Sequence, residues 1–217
     1  MGKAPRGVKK FDINTMTDEQ RLAYWNHMSE QQVFGLYRKR TINFVREKSK
    51  EVTNRFFEER NHLTVHEVGC AYSMALRSLN PEILFLGTDP VEKMIREDRE
   101  IYRDLPNARF EVDSIESGHG KYLHDVVLIL CMMDSIPHDR SMELLELCTD
   151  MAGKAVLFIS QRHEFNRSLN DPDWDWTRNF NSHSPEEIVE LGDKLNFNVE
   201  LDVREKYSNF AALLVRK

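Results

Sequence analysis

The stretch that decides the fold is Val65-His66-Glu67-Val68-Gly69-Cys70-Ala71-Tyr72-Ser73, in which an apolar run ends in a glycine and small residues. Such a tip lets the backbone approach a ligand closely, and a helix that begins there offers free N–H groups to an anionic ligand. We therefore predict a strand over Leu63–Val68, a turn at Gly69 and a helix that opens directly after the turn. A tight strand-to-helix turn without a ligand is the structural alternative.

The same alternation of strand and helix continues downstream. Strand-like runs lie at Ile83–Leu86, Arg109–Val112, Val126–Leu130 and Ala155–Ile159, and helical stretches include Pro90–Arg103 and Arg140–Met151. Strands and helices in regular succession are typical of an α/β domain with a parallel sheet and helices on both faces. We therefore expect one such domain over residues 61–217.

The end of the chain departs from this alternation. Ser184-Pro185-Glu186-Glu187 has an N-cap serine, a proline at the first helical position and a capping-box glutamate, so it predicts a helix start. The alternating runs Phe197–Val203 and Asn209–Val215 are separated only by Arg204–Ser208. Because this connection is short, we expect the two runs to form an antiparallel pair.

The N-terminal quarter is predicted to be helical. Residues 1–10 are basic and contain no apolar stretch, so we interpret them as a flexible tail and not as a secretory signal. Thr17-Asp18-Glu19-Gln20 has the capping-box pattern, and apolar residues at helical spacing follow it. Residues 11–60 are therefore expected to form a helical segment that precedes the sheet.

Composition limits the classes of function. The 217 residues suit one domain, and no apolar run is long enough to cross a bilayer. The three cysteines, Cys70, Cys131 and Cys148, lie far apart without a Cys-x-x-Cys pair, so we expect no disulfide framework, no metal and a cytoplasmic location. A net charge of −6 disfavours a general nucleic-acid binder. The basic residues of 38–50 are interleaved with glutamates, which leaves a solvated helix face and a phosphate-binding face both open.

Acidic residues follow the next two predicted strands. Asp89 comes about 20 residues after Gly69, which is the spacing of the ribose-binding acid in a nucleoside-binding βαβ unit. Its alternative role is the N-cap of the helix predicted from Pro90. Asp113 follows the third strand, where it would accept the exocyclic amine of an adenine or lie in an ordinary surface loop.

Together these positions resemble the class I S-adenosylmethionine-dependent methyltransferases over residues 63–217. The resemblance implies a Rossmann-like, mostly parallel seven-stranded sheet with a C-terminal antiparallel hairpin and an N-terminal helical lid over residues 11–60. It also implies that S-adenosylmethionine is the cofactor. The implied cofactor-binding residues are Glu67, Gly69, Ala71, Ser73, Asp89, Pro90, Asp113, Ser114, Cys131 and Met132. Ala71 and Ser73 replace the second and third glycines of the family's first motif, and neither adopts a positive φ as freely as glycine.

The resemblance also suggests where an acceptor would bind. Trp25 and Tyr37 of the lid are candidate contacts, and the long polar loop Ser160–Ser182 carries Trp174 and Trp176 as a possible aromatic wall. An acceptor hydroxyl needs a general base, for which the first candidate is His163. Asp134 and His138, after the fourth strand, are the second candidates, with His138 also a possible substrate contact.

The sequence therefore predicts an S-adenosylmethionine-dependent methyltransferase that acts on a small-molecule O or N acceptor. One alternative methylates RNA or protein through the basic face. Another is a non-catalytic binding module on the same fold, motivated by Ala71 and Ser73. A nicotinamide-dependent oxidoreductase is disfavoured by the C-terminal hairpin and by Asp113.

Overall fold

A seven-stranded sheet forms the centre of the molecule. The computed structural model describes residues 11–12, 15–36, 39–59, 62–118, 123–162, 178–179, 181–204 and 209–217. The strands are β1 Thr64–Val68, β2 Leu84–Asp89, β3 Ala108–Val112, β4 His124–Leu130, β5 Ala152–Gln161, β6 Phe197–Val203 and β7 Asn209–Arg216. Their order across the sheet is β3-β2-β1-β4-β5-β7-β6, and β7 runs antiparallel to both β5 and β6. The predicted hairpin and the predicted parallel pairing of the first five strands are both confirmed.

Helices flank the sheet and precede it. They are α1 Asp18–Asn26, α2 Glu30–Leu36, α3 Lys39–Glu58, α4 Glu92–Ile101, α5 Ile115–Gly118, α6 His138–Asp150 and α7 Pro185–Lys194. The capping boxes at Thr17 and Ser184 form as predicted, with both reciprocal hydrogen bonds present. None of the described helices is both long and apolar enough to span a membrane. Outside the main sheet, Phe11–Asp12 pairs in parallel with Arg178–Asn179.

Both faces of the sheet are buried under helices, because successive side chains of a strand point to opposite faces. On one face, Val126 and Leu128 of β4 pack in a cluster with Phe44, Val45 and Phe56 of α3. On the other, Val127 and Ile129 of β4 pack with helices α6 and α7. A third cluster joins α1 and α2 to α4 through the side chains Tyr24, Met28, Val33, Tyr72 and Met94. This third cluster places the N-terminal helices beside the tip of β1.

The segment after β1 does not form the α-helix that the sequence predicts. Residues 69–79 contain turns and a short 3-10 helix, Leu76–Ser78, so that prediction is wrong. Ala71 and Ser73 have positive φ angles of 47° and 24°, which a right-handed helix does not contain. Backbone groups here bind the neighbouring strand instead, as when the N–H of Cys70 donates to the carbonyl of Thr88 at 3.0 Å. The segment packs against α3, where Nε of Arg46 donates to the carbonyl of Met74 at 3.2 Å.

Candidate functional site

A cavity of about 380 Å³ lies at the carboxyl ends of β1, β2 and β4 and beside the segment after β3. Its volume is within the ~300–1,000 Å³ of small-molecule sites, and open α/β sheets place ligands at this edge. The segments after these strands contribute Gly69, Asp89, Asp113 and Met132 to the lining. Helices α1 and α2 cover the cavity with the apolar side chains Leu22, Trp25, Val33 and Phe34.

Gly69 is the tip of β1, and no other residue fits there without distortion. Its φ is +63°, a backbone conformation that side chains disfavour. A Cβ added at this position would lie 2.1 Å from Cγ of Met132, which follows β4. The glycine therefore brings the tips of two adjacent strands into contact at the cavity.

The two small residues after Gly69 adopt the backbone conformation that glycine would favour. Ala71 and Ser73 both have positive φ angles. The N–H of Ala71 donates to Oδ2 of Asp89 at 3.0 Å, and Oγ of Ser73 donates to Oε2 of Glu67 at 2.6 Å. These hydrogen bonds offset part of the backbone strain, and strained residues of this kind cluster at functional sites.

Asp89 is buried and lines the cavity. Besides the bond from Ala71, its Oδ1 accepts from the N–H of Val91 at 2.8 Å. Val91 is the N-cap of α4, so Asp89 is not the N-cap that the sequence allowed. Burial raises the pKa of Asp89 to about 6. Each carboxylate oxygen accepts more than one hydrogen bond, so Asp89 has capacity left for ligand hydroxyls.

Asp113 and Ser114 line the cavity after β3, together with Pro90 from the β2 tip. Oδ1 of Asp113 accepts from the N–H of Ser114 at 3.0 Å and from the hydroxyl of Ser117 in α5. These bonds fix the carboxylate at the start of α5. The carboxylate of Asp113, a hydrogen-bond acceptor, is thereby held at the tip of a third strand, as the sequence predicted.

The two predicted cofactor-binding residues after β4, Cys131 and Met132, differ in whether they line the cavity. Met132 lines the cavity, whereas Cys131 is buried outside its lining with a φ of +59°. The amide of Asn209 donates to Sγ of Cys131 at 3.7 Å. Burial raises the pKa of the Cys131 thiol well above its usual range, so this thiol is held in its unreactive form.

The sequence matches no protein-family model and no curated protein. The structure is similar to magnesium protoporphyrin IX methyltransferase of Synechocystis PCC 6803 with bound SAM, at 14% identity and a TM-score of 0.63 over 95% of each chain. It is also similar to DhpI in complex with SAH, at 17% identity and a TM-score of 0.64 over 90% of this chain and 95% of that one. A third similar structure is an S-adenosylmethionine-dependent methyltransferase of Clostridium acetobutylicum ATCC 824, at 10% identity and a TM-score of 0.61, covering 86% and 95% of the two chains.

The chain has the class I S-adenosylmethionine-dependent methyltransferase fold. The mostly parallel seven-stranded sheet and the C-terminal hairpin that the resemblance implied are both present.

Glu67 and Ser73, two residues assigned to the family's first motif, lie outside the lining of the cavity. Glu67 is buried at the end of β1 and bonded to Ser73, which is itself fully buried. Burial raises the pKa of Glu67 to about 8. Asp98 of α4 is also fully buried, and burial, reinforced by the charge of Glu67, raises its pKa to about 9. Glu67 and Ser73 therefore support the β1 tip.

Asp134 and His138, the second candidates for a general base, also lie outside the lining. Oδ1 of Asp134 accepts from Oγ of Ser160 at 2.5 Å and from the N–H of Gln161 at 3.3 Å. Burial raises the pKa of Asp134 to about 7. His138 is 40% exposed, with its Nε2 at 3.1 Å from Oε1 of Glu187.

Of the five predicted acceptor contacts, Trp25 lines the cavity and His138 does not. Tyr37, Trp174 and Trp176 lie outside the described residues, as does His163, the first candidate base. Sequence reasoning missed Ser160 and His183, which form a buried hydrogen-bonded group with Asp134. No local signal marks these two residues, because they are far apart in the chain and ordinary in type.

The charged residues around the cavity are mainly acidic. The acids in the lining are Asp18, Glu19, Asp89, Asp113 and Glu116, and the bases are Arg21 and Arg140. Arg21 forms an ion pair with Asp18, and Nη2 of Arg140 lies 2.7 Å from Oε1 of Glu116. The lining therefore has an excess of negative charge.

Proposed function

We propose that the chain is an enzyme that binds S-adenosylmethionine and transfers its methyl group to an O or N atom of a small-molecule acceptor. The observation that carries the proposal is the ordered placement of Gly69, Asp89 and Asp113 around one cavity on a class I methyltransferase fold. The similar structures that contain bound SAM or SAH support the choice of cofactor.

The residues of the cavity fit this cofactor. In the proposal, the backbone at Gly69 approaches the methionine portion, Asp89 accepts the ribose hydroxyls and Asp113 accepts the adenine amine. Pro90, Ser114 and Met132 pack around the nucleoside. The acidic lining favours a cationic ligand. A dinucleotide fits less well, because residues 69–79 form no α-helix whose N-terminus would hold a pyrophosphate.

The bound cofactor supplies an electrophilic methyl group on a sulfonium. The work of the chain is then to align the acceptor and to exclude water. We propose that α1 and α2 do this as a lid, because Leu22, Trp25 and Phe34 present an apolar surface to the cavity. A neutral amine needs little help from a base, whereas a hydroxyl needs one, for which His163 stays the candidate, since Asp134 lies outside the lining and is bonded to Ser160.

Calorimetry tests the cofactor assignment with the intact chain. We expect S-adenosylmethionine and its demethylated product to bind, and NAD not to bind under the same conditions. Tighter binding of NAD, or no binding of either sulfur compound, would contradict the proposal.

Methylation of RNA or protein is not favoured by the contacts of Arg46 and Lys48, two cations of the basic region. Nζ of Lys48 lies 2.5 Å from Oε2 of Glu51 and 2.7 Å from Oδ2 of Asp202, and Arg46 donates to the carbonyl of Met74. These cations stabilise the chain's own fold. The non-catalytic alternative is weakened as well. It was motivated by the replacement of two glycines, but Ala71 and Ser73 adopt positive φ angles although such angles are costly for residues other than glycine.

A further inference from the structure

Four buried polar side chains form a connected group beside the cavity. Oγ of Ser160 lies 2.5 Å from Oδ1 of Asp134 and 2.7 Å from Nδ1 of His183. The other ring nitrogen of His183, Nε2, lies 2.8 Å from Oγ of Ser141. All four residues are at most 5% exposed. A group of this size is costly to bury unless each member is hydrogen-bonded, so its geometry is tightly constrained.

Above its pKa of about 7, Asp134 is a carboxylate, and this form fixes the direction of its bond to Ser160. A carboxylate only accepts, so the hydroxyl of Ser160 donates its one proton to Asp134. Ser160 must then accept from His183, which requires the proton of the neutral imidazole to be on Nδ1. Burial lowers the pKa of His183 to about 4, so the ring is neutral at pH 7. Its Nε2 is left as the acceptor for Ser141 and for the amide of Asn181 at 3.4 Å.

This group is joined to the cavity through the turn that contains Asp134. Asp134 lies in the 3-10 helix Met133–Ser135, and the flanking residues Met132, Ser135 and Ile136 line the cavity. The carbonyl of Asp134 also accepts from the N–H of Asn181 at 2.7 Å. The wall Met132–Ile136 is therefore anchored at its middle residue, on the side that faces away from the cavity.

We propose that Ser160 and His183 are positioning residues that hold the wall Met132–Ile136 in place through Asp134. Ser160 is the essential link, because among the described residues it is the side chain bonded to both Asp134 and His183. Ser141 bonds to the far side of the ring and to the carbonyl of His138, and not to Asp134, so it is dispensable for the wall. The inference rests on the proposed function only in assigning a ligand to that wall.

The test compares Ser160→Ala with the matched control Ser141→Ala in the full chain. Nitrogen-15 NMR of the imidazole reports the tautomer of His183, and amide hydrogen exchange at Ser135 and Ile136 reports the order of the wall. Their N–H groups donate to the carbonyls of Met132 and Met133 at 3.0 and 3.2 Å. We expect Ser160→Ala to lose the Nδ1–H tautomer and to speed exchange at both amides about tenfold or more. Ser141→Ala should keep the exchange rates of the unchanged chain.

Substitutions of His183 separate the two sides of its ring. The amide nitrogen of Asn lies near the position of Nδ1, whereas that of Gln lies near Nε2. We therefore expect His183→Asn to keep slow exchange at Ser135 and Ile136, and His183→Gln to lose it. Calorimetry should show that His183→Asn keeps its affinity for S-adenosylhomocysteine and that His183→Gln loses it. The expected loss is roughly tenfold when the link to Ser160 is broken, as for one hydrogen bond.

Equal exchange rates in Ser160→Ala and Ser141→Ala would overturn the proposal, as would an Nε2–H tautomer in the unchanged chain at a pH well above 7, where Asp134 is ionised. Exchange and tautomer are measured without any ligand. If the unchanged chain fails to bind S-adenosylhomocysteine, the proposed function fails, but these two measurements still decide the role of Ser160 and His183.

Discussion

The carboxylate of Asp89 accepts a hydrogen bond from the backbone N–H of Ala71, with 3.0 Å between Oδ2 and the nitrogen. The same side chain that is proposed to bind ribose therefore also fixes the loop proposed to approach the methionine portion. Loss of this carboxylate should affect both the cofactor site and the fold.

Asp89→Ala is expected to weaken S-adenosylmethionine binding by about 1.5–3 kcal/mol, as for a charge-assisted hydrogen bond. It should also lower the free energy of unfolding, because the N–H groups of Ala71 and Val91 lose their acceptor. Asp89→Asn keeps one acceptor oxygen and should give intermediate values for both. Calorimetry and urea unfolding measure the two effects, and unchanged affinity in Asp89→Ala would remove Asp89 from the site.

Ala71→Gly is expected to raise the free energy of unfolding by up to ~1 kcal/mol. The left-handed conformation costs a residue with a side chain about 1–2 kcal/mol, and glycine avoids this cost. Part of the gain is lost, because glycine also increases the conformational entropy of the unfolded chain. Ala75→Gly is the contrasting variant and should lower the stability, since Ala75 has a φ of −79° and a buried side chain. Thermal unfolding of both variants makes the comparison. A lower stability in Ala71→Gly would mean that the loop does not adopt the positive φ in solution.

Ser73→Gly relieves the same backbone strain but removes the hydroxyl that donates to Glu67. Its stability should therefore fall below that of Ala71→Gly. Combined, the two glycines are expected to keep the fold and not to weaken cofactor binding. A large loss of affinity in the double variant would show that this loop follows a path of its own.

Gly69→Ala should strongly destabilise the β1 tip and abolish cofactor binding, since the new Cβ would lie 2.1 Å from Cγ of Met132. Part of this effect is a steric clash and part is the positive φ. Adding Met132→Ala should restore some stability by removing the clash alone. A double-mutant cycle by urea unfolding measures this coupling, and strict additivity would contradict the contact.

The stability of the fold should fall as pH rises from about 5 to 8. Glu67 has its pKa raised from 4.5 to about 8, so the folded chain holds a proton that the unfolded chain releases across this window. Its stabilising contribution is complete below the unfolded pKa and is lost as pH rises through the folded pKa. Glu67→Gln keeps an oxygen that can accept from Ser73 and should remove about one proton from the pH dependence. Urea unfolding across this pH range would contradict the argument if both chains gave the same slope.

The sequence predicts that the loop Ser160–Ser182 contacts the methyl acceptor. Trp174→Ala and Trp176→Ala are expected to impair acceptor kinetics much more than cofactor affinity, and His163→Ala should cost about 10²- to 10⁴-fold in rate if it is a general base. Trp25→Ala is the informative comparison, because Trp25 lines the cavity. Normal kinetics in the three loop variants together with a defect in Trp25→Ala would place the acceptor under α1 and α2.

The sequence by itself determined the order of the strands along the chain, the capping boxes at Thr17 and Ser184 and the terminal hairpin. These features follow from periodicity and from side chains that bond within a few residues of each other, so they can be predicted from a short window. The positions of Gly69, Asp89 and Asp113 at strand tips also followed, because parallel strands end at one edge of a sheet.

Only the tertiary structure decided which way the side chains at that edge face. Met132 enters the cavity, whereas Asp134 turns away from it to Ser160. The path after Gly69 was likewise set by distant groups, since Asp89 of another strand binds the loop and α3 packs against it. Partners remote in sequence determine both outcomes, because a buried polar group takes the conformation in which its hydrogen bonds are satisfied.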